Sequence, residues 1–252
     1  MGGFEEYILL LNGVFIVFAR CAGAVALLPG VGEVTVPARI KLVFAVALTA
    51  LVWPLVATSI APNPGDLPYL IISEAVVGLV FGASLRFMVL ALQFAGTVAG
   101  QATSLAQVSS GAMSPDPIPA LGSVLVLTAV TLAMILGLHL HVIEALAASY
   151  TVLAPGHVPS GAEVAEWAVA HGTRVFALGL TLAAPFVLAA FVYNLALGAI
   201  NRAMPQLMVV LVGAPAITLG TLALLLLSAP LIAGVWAELA LATLRAPMGA
   251  HP

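Results

Sequence analysis

The sequence predicts an all-α integral membrane protein whose long helices are kinked or broken. Three observations predict it. Of the 252 residues, 63% are hydrophobic and only 7% are charged, whereas a soluble domain carries roughly 25% charged residues. Mean hydropathy is +1.21. Apolar stretches at least as long as a bilayer span recur along the whole chain, separated by clusters of Pro, Gly and Asp that read as loops. A soluble protein of this composition could not build the polar exterior that water demands, and lipid removes that demand.

The elements follow in order. The first apolar stretch is Tyr7–Leu28, followed by a loop over Pro29–Arg39. The start of the chain carries Glu5 and Glu6 in place of a basic region, so this stretch reads as a retained helix and not as a cleaved signal. The second stretch is Ile40–Ile60, stopped by the turn Ala61–Pro68. The third runs from Tyr69 to about Ser110, and the loop Gly111–Pro119 stops it. The fourth runs Ala120–Leu153, before Pro155–Pro159. The fifth is Gly161–Ala203 and the sixth Gln206–Leu244. About 20 helical residues cross a hydrocarbon core of ~30 Å. The last four stretches exceed that, so they either project beyond the bilayer or break into shorter helices. Pro185, Pro215 and Pro230 are candidate kinks. Six alternating segments put Arg39, Lys41 and Arg202 on one side and Arg245 on the other, which places both termini outside the cytoplasm. Residues 1–252 read as a single membrane domain with no linker, low-complexity tail or clear repeat.

Charges within apolar stretches are expensive and therefore informative. Arg20 lies in the first stretch, Glu74 and Arg86 in the third, Glu144 in the fourth beside His139 and His141, and Arg174 in the fifth. Such groups serve either as a proton or ion relay, or as internal pairs and water-solvated groups that hold helices in register. Their small number and wide spacing favour the second role. Glu74 and Arg86 are twelve residues apart, about 18 Å along a helix, so each requires a partner on another helix. Arg20 is expected to meet Glu74, a cluster of backbone carbonyls, or an acidic group of a partner chain. His139 and His141 point about 200° apart on a helix, so they cannot share an ion. His141 and Glu144 share a face, but two ligands without a third make no metal site. Gly78, Gly82, Gly96 and Gly100 form two small-residue pairs 18 residues apart, about five turns, so all four fall on one stripe where another helix can approach closely.

Other chemistry is excluded by what the sequence lacks. There is one Lys and the net charge is −3, so no basic patch suits nucleic acid. Cys21 cannot form an internal disulfide and reads as a small buried apolar group. No nucleophile–base constellation, P-loop or dinucleotide fingerprint is present, which argues against an enzyme and against a bound cofactor. Two classes remain. One is a channel subunit of a secretion machine. The other is a self-contained secondary transporter or small-molecule permease, which broken helices and midplane charges would also suit. A transporter of that kind shows two related halves, and none is visible here.

Four local patterns in order cover nearly the whole chain. Arg20 precedes Pro29-Gly30-Val31-Gly32 and then Val36-Pro37-Ala38-Arg39-Ile40-Lys41-Leu42. Gly96 through Gln101 leads into Asp116-Pro117. Gly137-Leu138-His139 is followed by an apolar helix and Pro155. Arg202-Ala203-Met204-Pro205-Gln206 is followed by Val212-Gly213-Ala214-Pro215. In these patterns the chain resembles the FliR family of type III export-gate proteins. It departs from the family at Asn201, Met208 and Gly100–Ser104. The resemblance implies a multi-pass protein of the bacterial inner membrane and flagellar basal body. It implies assembly with FliP and FliQ into a channel contacted by FlhB, through which unfolded flagellar polypeptides are exported. It also implies a FliP-like part over residues 1–160 followed by a FliQ-like helical hairpin over residues 161–252. The polar interruption Gln107–Pro119 matches the position of the family's pore-plug loop. Val108, Ser109, Ser110, Gly111, Ala112, Met113, Ser114, Pro115, Asp116 and Pro117 are the expected plug, and Arg202, Pro205 and Gln206 the family's later loop.

Overall fold

A computed structural model describes residues 2–60, 66–108, 120–204 and 209–245. Seven α-helices follow one another, with no strand among the described residues. They are α1 (Gly2–Leu27), α2 (Ala38–Val56), α3 (Leu67–Val108), α4 (Ala120–Ile135), α5 (Leu138–Val152), α6 (Gly161–Ala203) and α7 (Val209–Arg245). A 3-10 turn, Ala57–Ser59, follows α2. Segments of α1, α2, α3, α6 and α7 are each long and apolar enough to cross a membrane, and α4 with α5 forms a sixth candidate as one bent pair. The protein is an all-α, multi-pass membrane protein.

The over-long stretches resolve in two ways. The third, fifth and sixth stay continuous as α3, α6 and α7, of 42, 43 and 37 residues. Pro185, Pro215 and Pro230 lie inside those helices and do not end them. The fourth stretch breaks, and it does so at a glycine. Gly137 adopts φ 72° and ψ 27°, a left-handed conformation that costs glycine little. It closes α4 through its N–H to the Met134 carbonyl (3.1 Å) and opens α5 by accepting from Leu140 N–H (2.9 Å). The chain turns by 73° there. α6 starts at a reciprocal cap: Ser160 N–H donates to Glu163 Oε2 (2.7 Å), and Glu163 N–H donates to Ser160 Oγ (3.3 Å).

The chain forms two compact units. The first comprises Met1–Met88, Ala133–Gly172 and Leu239–Pro252. Its centre is the parallel crossing of α1 and α3. A side chain at Gly78 would strike the Arg20 carbonyl, and one at Gly82 would come within 2.5 Å of the Ala24 carbonyl. Gly23 answers from α1, backed against the Ala75 carbonyl. Around this crossing pack Ile16, Val25, Val52, Phe81, Leu146 and Tyr150. From α6, Trp167 and His171 set their rings 5.7 and 6.1 Å from that of Phe87. Polar side chains in the spans bond back to carbonyls of the preceding turn, as Thr49 does to Ala45 (2.7 Å) and Ser84 to Phe81 (2.6 Å).

The second unit comprises Val89–Leu132 and Thr173–Glu238. Here α3 changes neighbour. Gly96 lies against the backbone of Gly122 in α4, and Phe94 stands edge-on to Phe176 of α6 at 5.0 Å. α6 and α7 fold back on one another as a hairpin, with Ala190 packed against Ile217 and Tyr193 Oη donating to the Gly213 carbonyl (2.6 Å).

The glycine contacts differ in consequence. Gly78→Val must separate α1 from α3, and crowding of this kind costs about 1–3 kcal/mol. Gly220→Ala meets open space and removes a helix-breaking residue, worth about 0.5–1 kcal/mol in the opposite direction. Thermal unfolding of the purified chain in detergent is expected to fall for the first variant and to hold or rise for the second.

Candidate functional site

The most distinctive chemistry in the molecule surrounds Arg20. Its side chain and that of Glu74 are both 0% exposed. Arg20 Nε donates to Glu74 Oε2 at 2.5 Å and Nη2 to Oε1 at 3.0 Å, the forked geometry that suits a guanidinium and a carboxylate. The remaining guanidinium donors are also used. Nη1 donates to Ser149 Oγ at 2.8 Å and Nη2 to the Leu153 carbonyl at 3.0 Å. The Tyr150 ring lies 3.7 Å from the guanidinium carbon, close enough for a cation–π contact. Glu74 Oε1 accepts a further bond from Gly156 N–H at 3.3 Å, at the turn where Gly156 takes φ 84°. One ion pair thus ties α1, α3, the end of α5 and the turn that leads to α6. Each polar atom of the pair has a partner, which is what a charge away from water requires.

Arg86 finds its partner outside the helices, in the loop between α1 and α2. Both its terminal nitrogens bond Glu33, with Nη2 to Oε2 at 3.1 Å. The same loop is held from α2, where Lys41 Nζ donates to the Gly32 carbonyl at 3.1 Å. Gly32 N–H in turn donates to the Leu28 carbonyl at 2.6 Å. A side chain at Gly32 would lie 2.7 Å from the Ala26 carbonyl. The loop is therefore fixed in place by two cations and a glycine.

The other charged residues behave differently. Glu144 lies in an apolar stretch of the sequence and is expected to be buried like the other charges there, yet within this chain it is exposed. Its side chain is 76% exposed, with His141 Nδ1 at 3.3 Å. The core face of α5 consists of Val142, Ala145, Leu146, Ser149 and Tyr150, and Glu144 falls between these on the opposite side of the turn. Arg174 is half-buried on α6, and among the described residues no ion pair reaches it. Of the glycine stripe, Gly78 and Gly82 meet α1, Gly96 meets α4, and Gly100 is half-buried near the end of α3. The stripe thus serves two neighbours in succession. Arg202 is exposed in the last turn of α6. Pro205 and Gln206 lie outside the described residues, as do Ser109–Pro117, and Val108 is the last residue of α3.

Sequence reasoning missed Glu33, Ser149, Tyr150 and the Leu153 carbonyl as partners. Glu33 carried a signal, since it is the one acidic residue between Glu6 and Asp66. The others carried none, because a serine and a tyrosine in an apolar helix announce no partner.

Three of the sequence patterns reach these fixed points, at the pinned loop, the Gly96 contact with α4 and the Gly137 break, and the fourth spans the end of α6 and the start of α7. The family model of the bacterial export proteins, family 1, matches residues 11–242. The chain belongs to this family. It is similar to the flagellar biosynthetic protein FliR of Caulobacter vibrioides, at 34% identity over 93% of both chains. It is also similar to the proteins of that name from Escherichia coli, at 27% identity over 91% of this chain and 88% of the relative, and from Pectobacterium carotovorum, at 29% over 83% and 82%. In this export-family member the buried pair joins α1, α3 and the end of α5.

Removing one partner of a buried pair leaves an uncompensated charge, at a cost of about 3–5 kcal/mol. Arg20→Met and Glu74→Met are each expected to lower the unfolding temperature sharply in detergent. The double variant Arg20→Met/Glu74→Met is expected to lose clearly less than the sum of the two. A double-mutant cycle by thermal unfolding checks this, and additive losses would show that the two side chains act independently.

Proposed function

We propose that the chain is a membrane subunit of a flagellar type III export gate in the bacterial inner membrane, at the flagellar basal body. In this reading it joins proteins of the FliP, FliQ and FlhB types to line the path taken by unfolded polypeptides. Residues 1–160 supply the FliP-like part and residues 161–252 the FliQ-like hairpin. The names of the relatives support the machine, and one physical observation supports the need for partners.

That observation is the length of uncovered apolar surface on α6. Exposed large hydrophobic side chains run from Val169 through Phe176, Leu188, Phe191 and Leu195 to Ile200. At about 1.5 Å per residue they extend over roughly 46 Å. The hydrocarbon core is ~30 Å thick, and even a steep tilt of about 40° leaves roughly 36 Å to be covered. Lipid cannot cover it all. Within α3 the most apolar window is 61% buried by the chain itself, against 33% in α6 and 17% in α7. Other protein subunits are the cover that remains, because exposed apolar surface beyond the bilayer costs about 25 cal/mol per Å².

Extraction in a mild detergent tests this. The chain is expected to co-purify with other small membrane proteins of the same export system, in fixed stoichiometry. A monodisperse monomer that binds a small solute would instead indicate a self-contained transporter. Within the proposal, Val108–Pro117 holds the path shut until substrate arrives, a role drawn from the family resemblance. Deleting Ser110–Ser114 is expected to leave the complex assembled and raise its permeability to small ions. Unchanged permeability in an intact complex would make the segment a connector only.

A further inference from the structure

We propose that Arg174 marks the line on α6 where a neighbouring subunit docks, and that this neighbour pairs it with an Asp or Glu set in an otherwise apolar helix surface. The inference rests on the reading of the chain as a subunit of an export gate, and it names the chemistry of one partner.

Position is the first observation. Arg174 is half-buried on α6. Thr181, Pro185, Leu188 and Val192 follow it by 7, 11, 14 and 18 residues, about two, three, four and five turns at 3.6 residues each. All five residues therefore share one stripe. The four that follow Arg174 are exposed, Leu188 at 64% and Val192 at 63%. The second observation is the state of the polar groups. Thr181 Oγ1 donates to the Ala177 carbonyl at 2.8 Å and so is satisfied within its own helix. Among the described residues, no hydrogen bond or ion pair engages the Arg174 guanidinium. The stripe thus presents apolar side chains and one unsatisfied cation, and this chain covers neither.

The chemistry selects the occupant. Arginine stays charged and cannot neutralise itself by losing a proton. Where lipid surrounds the stripe, a lone cation is unfavourable and requires a counterion. Where the stripe lies beyond lipid, Leu188 and Val192 require protein cover, and a partner laid along them encloses Arg174 as well. At either depth the guanidinium needs an acceptor from outside this chain. The carbonyls of a partner helix are already bonded within that helix. The acceptor with lone pairs to spare is a carboxylate, which also fits the forked donors. The chain makes the same choice twice in its own interior, with Arg20 on Glu74 and Arg86 on Glu33. An arginine at the edge of an apolar contact is also among the residue types that dominate interface energies.

The test uses the full chain expressed with the other membrane proteins of its export system and extracted in mild detergent. Arg174→Glu sets a carboxylate against a carboxylate and is expected to lower the co-purified partner protein at least about tenfold. The thermal unfolding of the isolated variant chain is expected to match the wild type, because nothing within the chain holds Arg174. Arg174→Lys keeps the charge and is expected to keep the complex. In that variant a carbodiimide, which joins a lysine amine to a carboxylate in contact with it, is expected to link residue 174 to an Asp or Glu of another subunit, identified by mass spectrometry of the joined peptides. Changing that acid to Arg is expected to restore the complex with Arg174→Glu. Wild-type recovery of partner protein by Arg174→Glu overturns the proposal, as does a link that forms only within this chain or not at all. A lowered unfolding temperature of isolated Arg174→Glu also overturns it, since the residue then serves the fold. In each of these cases the wild-type complex still stands and the subunit reading with it. A wild-type chain that purifies alone overturns both.

Discussion

The first unit of this chain is organised around a guanidinium and a carboxylate, Arg20 and Glu74, whose side chains are both fully buried. A charged group at the centre of a bilayer costs about 2.5–3.5 kcal/mol even on the mildest scale. Arg20 and Glu74 meet that cost by bonding each other, and Ser149, Leu153 and Gly156 complete the shell. The pair does not act alone on the helix crossing. The carbonyl of Arg20 itself lies against Gly78, one turn beyond Glu74 on α3. Side chain and backbone of one residue thus fix both the register and the separation of α1 and α3. A slip of one residue would lose the ion pair and drive a side chain into the α3 backbone together.

The sequence made the class, most helix boundaries and the expense of the buried charges legible, because hydropathy and charge are local properties. The predicted limits of the fifth stretch, Gly161–Ala203, coincide with those of α6. For Arg20 the sequence leaves three acceptors open, Glu74, a cluster of backbone carbonyls or an acid of a partner chain, and the fold supplies Glu74 together with the Leu153 carbonyl. What failed to show was directional. Glu144 sits in an apolar run like the others, yet its place between the core positions of α5 turns it outward, and only the neighbours of a helix decide which face is inside. The Gly137 break was hidden for a similar reason. Pro185, Pro215 and Pro230 sit inside continuous helices, while a single glycine, Gly137, in a left-handed conformation makes the break.

The two halves of the molecule are finished to different degrees. The crossing of α1 with α3 is closed by its own side chains, down to the Phe81 and Val52 packed around it. The hairpin of α6 and α7 is held together by small contacts, such as Ala190 with Ile217, and leaves rows of leucines, valines and phenylalanines facing away from the chain. The first has a settled interior. The second has the surface of an element built to be enclosed.

The buried pair also sets a timetable for biosynthesis. Its members are 54 residues apart, and the Leu153 carbonyl follows Arg20 by 133. A ribosome adds about 5–20 residues each second, so Arg20 leads Glu74 by roughly 3–11 s and Leu153 by roughly 7–27 s. Until Glu74 is made, α1 holds a cation whose partner carboxylate does not yet exist. Burial of that unpaired cation in lipid costs about 2.5–3.5 kcal/mol, which favours a place beside water until the carboxylate follows. α1, made before α3 and α5, therefore completes its contacts only after they have been made.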